Sequence, residues 1–333
     1  MFFYRLLPIF FASVFFSGCI YFSDHAPDVS HVKVNLHIKK LENELFACQS
    51  QSEVKDFLQQ HSYLNKYYFS DFTDNDSLLI EQLYNNVTNE SLREFRRQLE
   101  TELSSEQYNL EKELKSSFQR VKYYFPDFQE PKVKTIITGF LGNDLYISDT
   151  LIIIGIDYFG GPGVAYRPNV YDYQLARYQK ENIVPAILFF IADRYNSTNP
   201  EDKTLLNEMI GYGKSFEFVK YMTPYTPDSL IIGYSQETMN KCYYAQTDIW
   251  GYLVSNKLLY QTSQFQKQKY IGERPFTLEM GPEVPGGIGR WVGWRIVSRY
   301  MDKNSDMSLP ELMRLSNSQK LLEKSGYKGQ VED

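Results

Sequence analysis

Histidine is almost absent from this sequence, and its few copies lie near the start. The 333 residues contain only His25, His31, His37 and His61, so no imidazole follows position 61. Histidine is the usual group for proton transfer near neutral pH and a frequent zinc ligand. We therefore expect no Ser-His-Asp or Cys-His catalytic arrangement and no metal site in the body of the chain. His25 and His31 lie in a polar stretch and are interpreted as solvated residues.

Cysteine is scarce as well, and the chain has no excess of positive charge. Three cysteines can form neither a disulfide framework nor a four-cysteine zinc site. The 35 Lys and Arg residues face 41 Asp and Glu residues, a net charge of −6. This balance lacks the basic surface of nucleic-acid-binding proteins, so we expect no nucleic-acid partner. We also predict no cofactor. Cys48 and Cys242 lie in apolar helical patterns, which favours two buried free thiols over a disulfide.

The first residues have the pattern of a secretion signal. Arg5 is followed by an apolar run at 6–16, which is too short to span a membrane and typical of a signal peptide. Small residues then precede Cys19, as in a bacterial lipobox. We predict a signal peptide at 1–18, a lipidated Cys19 that carries fatty acid such as palmitate, and a tether at 19–34. Ordinary cleavage and an uncleaved anchor are the alternatives.

The remaining chain, 35–333, is predicted to be a single domain of the α+β class, predominantly helical. Apolar residues at three- and four-residue steps indicate a helical N-terminal region at 35–125. A small β region follows at 132–160, and helical patterns return at 173–325. No shift in composition marks a second domain.

Short runs rich in Ile, Val and Tyr define the β region. They cover 133–140, 145–148 and 151–157, and the Gly142-Asn143 turn suggests one hairpin or strand pair. The glycine-rich segment 160–163 lacks the Lys-Ser/Thr of a phosphate-binding loop. We interpret it as a loop with a constrained backbone.

One helix near the C-terminus is apolar around most of its circumference. It is predicted at 288–301, and its hydrophobicity places it in the centre of the fold. Gly289 and Gly293 lie on one flank, where a second helix could approach closely. Arg295 and Arg299 share a narrow polar edge.

Arginines cluster around this helix, and an arginine on an apolar helix usually pairs with a carboxylate. Arg274 belongs to the same group. A structural ion-pair network and an anion- or partner-binding site both remain open. We also expect Trp250 to be largely buried, together with the two tryptophans of the helix. The candidate structural or partner-binding residues are Arg290, Arg295, Arg299, Glu279, Glu283, Trp291 and Trp294.

Five segments of the chain form a recognisable order of motifs. They are IIIGIDYFGG at 152–161, TLLNEMIGYGKSFEFVKYMTP at 204–224, DSLIIGYS at 228–235, DIWGYLVSNKLLY at 248–260 and PGGIGRWVGWRIVSRYM at 285–301. With the lipobox-like start, this order resembles the gliding-motility lipoprotein GldB family of the Bacteroidetes. The resemblance implies a membrane-attached envelope protein linked to gliding and to the associated secretion apparatus. It does not supply a biochemical activity.

That family is in turn distantly similar to gluzincin metallopeptidases, in which a short sheet precedes a helix with H-E-x-x-H and the next helix supplies a Glu ligand. By this resemblance, the helix at 183–195 takes the place of the H-E-x-x-H helix, with Phe189, Phe190 and Asp193 in its slots. Tyr212-Gly213 takes the place of the Glu-Gly pair. The resemblance implies a zincin-like fold that has lost its metal ligands and is not an enzyme.

We therefore expect a lipid-anchored, periplasm-facing protein of the cell envelope that acts by binding or scaffolding, with the membrane and envelope proteins as partners. One alternative is a hydrolase, either zincin-related or built on carboxylates near Glu273, Glu279, Glu283 and Asp302. The other is a solute- or glycan-binding lipoprotein, which the aromatic content of 16% would suit. A filled cleft would favour the scaffold, and a groove lined by exposed aromatic residues would favour glycan binding.

Overall fold

The computed structural model describes residues 26–72, 76–103 and 108–331. The predicted signal peptide and Cys19 therefore lie outside the described residues, as does the first part of the predicted tether. No helix in these described ranges is long and apolar enough to cross a membrane.

The N-terminal part is mostly helical, as its apolar periodicity predicts. The spacing of Leu92, Phe95 and Leu99 places all three in the core. Ser50 caps its helix by accepting a hydrogen bond from the amide of Glu53. The helices are α1 Leu41–Leu45, α2 Gln51–Gln60, α3 Tyr63–Tyr67, α4 Asp76–Thr88, α5 Glu90–Leu103 and α6 Leu110–Tyr124.

A four-stranded mixed sheet follows, with strand order β1-β2-β4-β3. β2 pairs in parallel with both β1 and β4, and β3 is antiparallel to β4. The strands are β1 Ile38–Lys40, β2 Lys132–Ile136, β3 Leu145–Ile147 and β4 Leu151–Gly155.

Two expectations about this sheet are wrong. β1 lies inside the region predicted to be helical, because a three-residue strand is too short to show a period of two and depends on distant β2 for its hydrogen bonds. The Gly142-Asn143 turn does not join two paired strands. The hairpin lies between β3 and β4 instead, where the amide of Ser148 donates to the carbonyl of Leu151 (2.9 Å).

Helices make up most of the remaining chain. Two parts of the region predicted to be helical, 236–255 and 309–325, each contain two separate α-helices, and a 3₁₀ turn at Leu258–Tyr260 follows the first pair. Two further 3₁₀ turns, Ile156–Phe159 and Gly161–Gly163, follow the sheet. The α-helices are α7 Asp172–Leu175, α8 Lys180–Asp193, α9 Leu205–Met222, α10 Asp228–Ile232, α11 Gln236–Tyr244, α12 Gln246–Ser255, α13 Gln264–Ile271, α14 Ile288–Lys303, α15 Leu309–Arg314 and α16 Ser318–Ser325.

A continuous hydrophobic core joins the N-terminal helices, the sheet and the C-terminal helices. The described chain is therefore α+β and predominantly helical, as predicted. Helices α9 and α14 lie at the centre of the C-terminal part, and both are buried around most of their circumference. Thr204 begins α9 by accepting a hydrogen bond from the amide of Asn207 (3.2 Å).

Candidate functional site

Helices α9 and α14 cross with their backbones in direct contact. A Cβ atom added to Gly293 would overlap the carbonyl of Met209, and one added to Gly213 would overlap the carbonyl of Gly293. A Cβ on Gly289 would lie 3.0 Å from the carbonyl oxygen of Tyr270. The close approach predicted on the Gly289 and Gly293 flank is therefore confirmed. Only glycine leaves enough room for this crossing.

An aromatic cluster fills the space between α8, α9 and α14. Phe189 of α8 lies nearly parallel to Tyr212 of α9, with ring centroids 6.2 Å apart and planes at 23°. Phe189 also packs on Phe216 (5.1 Å), which contacts Trp294 of α14 (5.2 Å). These distances are in the usual range for aromatic pairs. The structure thus brings together two of the positions that the zincin resemblance singled out.

Phe190 and Asp193, two further positions of that comparison, lie apart from the cluster. Phe190 points away from the core and is 57% exposed. Asp193 ends α8 and is also exposed. No group of three or more His, Cys, Asp and Glu residues within the described ranges is placed to hold a metal ion.

A buried carboxylate, Glu217, lies beside the aromatic cluster. Its Oε2 accepts hydrogen bonds from Nε1 of Trp294 (2.8 Å) and from the hydroxyl of Ser298 (3.0 Å), both on α14. Burial raises the pKa of Glu217, since a carboxylate loses hydration there. Sequence reasoning missed this residue. The only sign of its burial in the sequence is that an acidic residue stands within the apolar segment 215–219.

Lys214, on the same helix, is a second buried charge that the sequence analysis missed. Its ammonium donates hydrogen bonds to the carbonyls of Ser197, Met313 (3.3 Å) and Leu315 (2.7 Å). Burial lowers its pKa to about 8. Lys214 therefore holds the end of α15 against α9 and acts as a structural group.

The predicted acidic residues pair with basic side chains of the same region. Glu279 forms an ion pair with Arg274 (2.9 Å), an arginine that precedes α14 in the chain. Glu283 instead lies 3.5 Å from Lys241 of α11, and its side chain is exposed. Exposed pairs of this kind contribute about 0–1 kcal/mol to stability. These two carboxylates do not share a common partner.

The arginines of α14 contact aromatic rings and a backbone carbonyl. Arg290 donates from Nε to the carbonyl of Ile271, and its guanidinium lies over the ring of Tyr212 (4.7 Å). Arg295 lies near the ring of Tyr243 (5.7 Å), and Arg299 is half-buried. Arg290 therefore borders the aromatic cluster through Tyr212.

Two of the three tryptophans are buried as expected. Trp291 and Trp294 both belong to the core. Trp250 of α12 is only partly buried and packs edge-on against Tyr327 (5.3 Å). Trp250 also packs against the core, although less deeply than the two tryptophans of α14.

Among the described histidines only His61 is buried, and two polar side chains contact its ring. Nε2 of His61 lies 2.7 Å from Glu44, and Nδ1 lies 3.0 Å from the hydroxyl of Tyr63. That hydroxyl also accepts a hydrogen bond from Lys134 of β2 (2.6 Å). Burial raises the pKa of Tyr63 to about 12, so its hydroxyl remains protonated. These bonds join the region of α1–α3 to the sheet.

The predictions for the cysteines and the glycine-rich loop are confirmed. Cys48 and Cys242 are buried and free. Gly161 has a φ of +68°, a backbone conformation that side-chain-bearing residues rarely adopt. The loop leaves β4 at the carboxyl end of the parallel strands and borders a pocket of about 160 Å³.

Comparison with known proteins agrees with the order of motifs. A family model described as gliding motility protein GldB matches residues 23–329 of the chain. No curated protein and no solved structure was found to match. The family match covers both the N-terminal helices and the central α9–α14 crossing. The chain therefore belongs to the family of the gliding motility protein GldB.

Proposed function

We propose that this protein is a lipid-anchored component of the cell envelope that serves gliding motility, or the associated secretion apparatus, by binding other components. Family membership supports the link to motility. The lipobox-like residues before Cys19 support the anchor. Several acyl chains on one cysteine would anchor the protein firmly, since each buried CH₂ contributes about 0.8 kcal/mol.

The aromatic cluster is the observation that carries the non-catalytic role. A zinc peptidase must keep space between its two central helices for a metal ion, three protein ligands and a water molecule. By the zincin resemblance, α8 and α9 are the helices that would carry the metal ligands. Between them, the ring of Phe189 stacks on Tyr212, and Phe216 packs beside them. A phenylalanine ring can neither bind zinc nor accept a proton. We propose a zincin-like body whose ancestral cleft is filled by side chains.

Metal analysis tests the non-catalytic part of the proposal. We expect the purified full chain to contain far less than one zinc ion per molecule by mass spectrometry, and to cleave no unfolded protein substrate. Stoichiometric zinc, together with a peptidase activity that a chelator removes, would contradict the proposal.

Affinity capture tests the binding role. The full chain, tagged at its C-terminus, is expressed in its own host and recovered from detergent-solubilised envelopes. We expect components of the motility or secretion apparatus to be enriched over a control capture with an unrelated tagged lipoprotein. Equal recovery in both samples would contradict a scaffold role in that apparatus.

A further inference from the structure

The pocket at the glycine-rich loop has walls that are fixed before any ligand arrives. The amide of Gly161 donates to the carbonyl of Tyr178 (3.1 Å), and Gly160 pairs with Gln179. On the other side, the hydroxyl of Tyr158 donates to the carbonyl of Gly142 (2.7 Å). The pocket follows β4 at the carboxyl edge of the parallel strands, the edge at which open α/β sheets bind ligands.

Tyrosine rings dominate the pocket and its surroundings. Tyr158, Tyr166 and Tyr178 line it, and Tyr166 remains 45% exposed although its ring packs edge-on against Phe95. Two stacked tyrosines lie close by: Tyr171, which precedes α7 and is 74% exposed, and Tyr173 within α7. Exposed rings gathered in one place mark a binding surface. Their flat apolar faces match the C–H faces of a sugar ring.

Arg167 adds an unmatched positive charge to the lining. Within the described residues, its guanidinium takes part in no ion pair or hydrogen bond, and the residue is exposed. Of the charged residues nearby, Asp144 lies beside Tyr178, and two other acids are paired with basic side chains. Glu102 binds Lys180 (3.2 Å), and Glu273 binds Arg177 (2.6 Å). Arg167 is therefore available to a ligand carboxylate, for which the guanidinium offers two parallel hydrogen bonds.

Gln179 gives the pocket a hydrogen-bond acceptor, and the volume of the pocket limits the size of its ligand. The side-chain amide of Gln179 donates to the carbonyl of Ala176 (3.3 Å), which leaves its own carbonyl oxygen to accept from a ligand hydroxyl. The volume of about 160 Å³ is below the roughly 300 Å³ at which pockets for drug-sized ligands begin. The pocket has room for one ring and not for a folded peptide segment.

We propose that this pocket binds a single pyranose ring that bears a carboxylate, with Tyr166 against the ring face, Arg167 on the carboxylate and Gln179 on a hydroxyl. Such a ring occurs in uronate-containing polysaccharides and in muramyl units of cell-wall glycan that carry no peptide on the lactyl carboxylate. The inference adds a ligand class to the proposed binding role. A sugar titration and the affinity capture described above can fail independently, so the two proposals are distinguishable.

Calorimetric titration of the full chain in detergent micelles tests the proposal. The probes are trigalacturonate, N-acetylmuramic acid and neutral maltotriose. We expect at least one anionic probe to bind and maltotriose to bind at least tenfold more weakly. Binding of trigalacturonate alone would identify the polysaccharide as the source, and binding of the muramyl probe alone would identify cell-wall glycan.

Variants then locate the site. R167Q is expected to lower the affinity for the anionic probe about tenfold or more, since it removes an ion pair with two hydrogen bonds at an exposed position. Y166A is expected to weaken it as well. Y244A, at an exposed tyrosine on α11, is the control and should bind like the original chain. The proposal is overturned if no probe binds, if maltotriose binds equally well, or if R167Q leaves the affinity unchanged.

Discussion

The protonation of a single residue, Glu217, depends on its buried position. It lies between α9 and α14 and accepts hydrogen bonds from Trp294 and Ser298. Those donors satisfy Oε2, yet burial still disfavours the charged form and raises the pKa. Asp157 behaves in the same way. Burial raises its pKa, although its carboxylate accepts hydrogen bonds from the amides of Thr138 and Phe140. Both residues make the stability of the fold depend on pH.

The variant E217Q tests this dependence. In the unfolded chain a glutamate titrates near pH 4.3. Below that value Glu217 is protonated in both the folded and the unfolded chain. Above it the side chain ionises in the unfolded chain, while in the folded chain it stays protonated up to its raised pKa. The contribution of Glu217 to stability is therefore lost as pH rises through the folded pKa. Glutamine keeps the acceptor oxygen and cannot ionise. We expect the free energy of unfolding of E217Q, minus that of the original chain, to increase from pH 4 to pH 7 in urea denaturation.

A matched variant should show the opposite slope. Glu311 at the start of α15 has a lowered pKa, because the side chain and the amide of Ser308 both bind its carboxylate. Its charged form therefore stabilises the fold above the unfolded pKa, and E311Q should become less stable than the original chain as pH rises. Parallel curves for E217Q and the original chain would contradict the assignment of Glu217 as a buried titrating group.

At the scale of elements, the crossing of α9 and α14 organises the C-terminal part. The two helices approach at Gly213 and Gly293, where each backbone occupies the space that a side chain would need. The aromatic cluster and Glu217 both lie along this pair of helices, so their geometry follows from the crossing. A shift of either helix would disturb all of these contacts together.

The variant G293A tests whether the crossing has room for a side chain. Its new methyl group would overlap the carbonyl of Met209, and backbone atoms cannot move aside as a flexible side chain can. We expect a loss of about 3 kcal/mol or more in the free energy of unfolding, or no folded protein. The control is G251A in α12, where an added Cβ meets nothing within 4 Å. It should be stabilising by about 0.5–1 kcal/mol. Equal effects of the two variants would contradict the close approach.

At the scale of the whole molecule, a single continuous core begins at the end of the predicted tether. The core extends from Val34 in the tether region to Tyr327 near the C-terminus. The predicted attachment point, Cys19, precedes this core in sequence. The body should therefore fold without the lipid and use it only for location.

The variant C19S separates location from folding. We expect it to incorporate no labelled palmitate and to leave the membrane fraction, because serine has no thiol for acylation. Its thermal unfolding should match that of the unlipidated original chain. The control C48S removes a buried thiol of the body and should retain the label. Membrane attachment of C19S equal to that of the original chain would show that another segment provides the anchor.

Much of the element pattern could be predicted from local sequence. The pattern at 288–301 corresponds to α14 at Ile288–Lys303, and the flank formed by Gly289 and Gly293 does meet another helix. The apolar pattern at 183–195 likewise corresponds to α8. Periodicity and capping involve residues a few positions apart, so the sequence displays them directly.

Contacts between distant segments were decided only by the tertiary structure. β1 is a strand because β2 lies beside it, and Glu217 is a buried acceptor because α14 presents Trp294 and Ser298 to it. The pocket near Arg167 is likewise formed by separate segments that meet after β4. Helical and strand periods determine which face of an element is apolar. They do not determine which element covers that face, because this depends on how the whole chain packs.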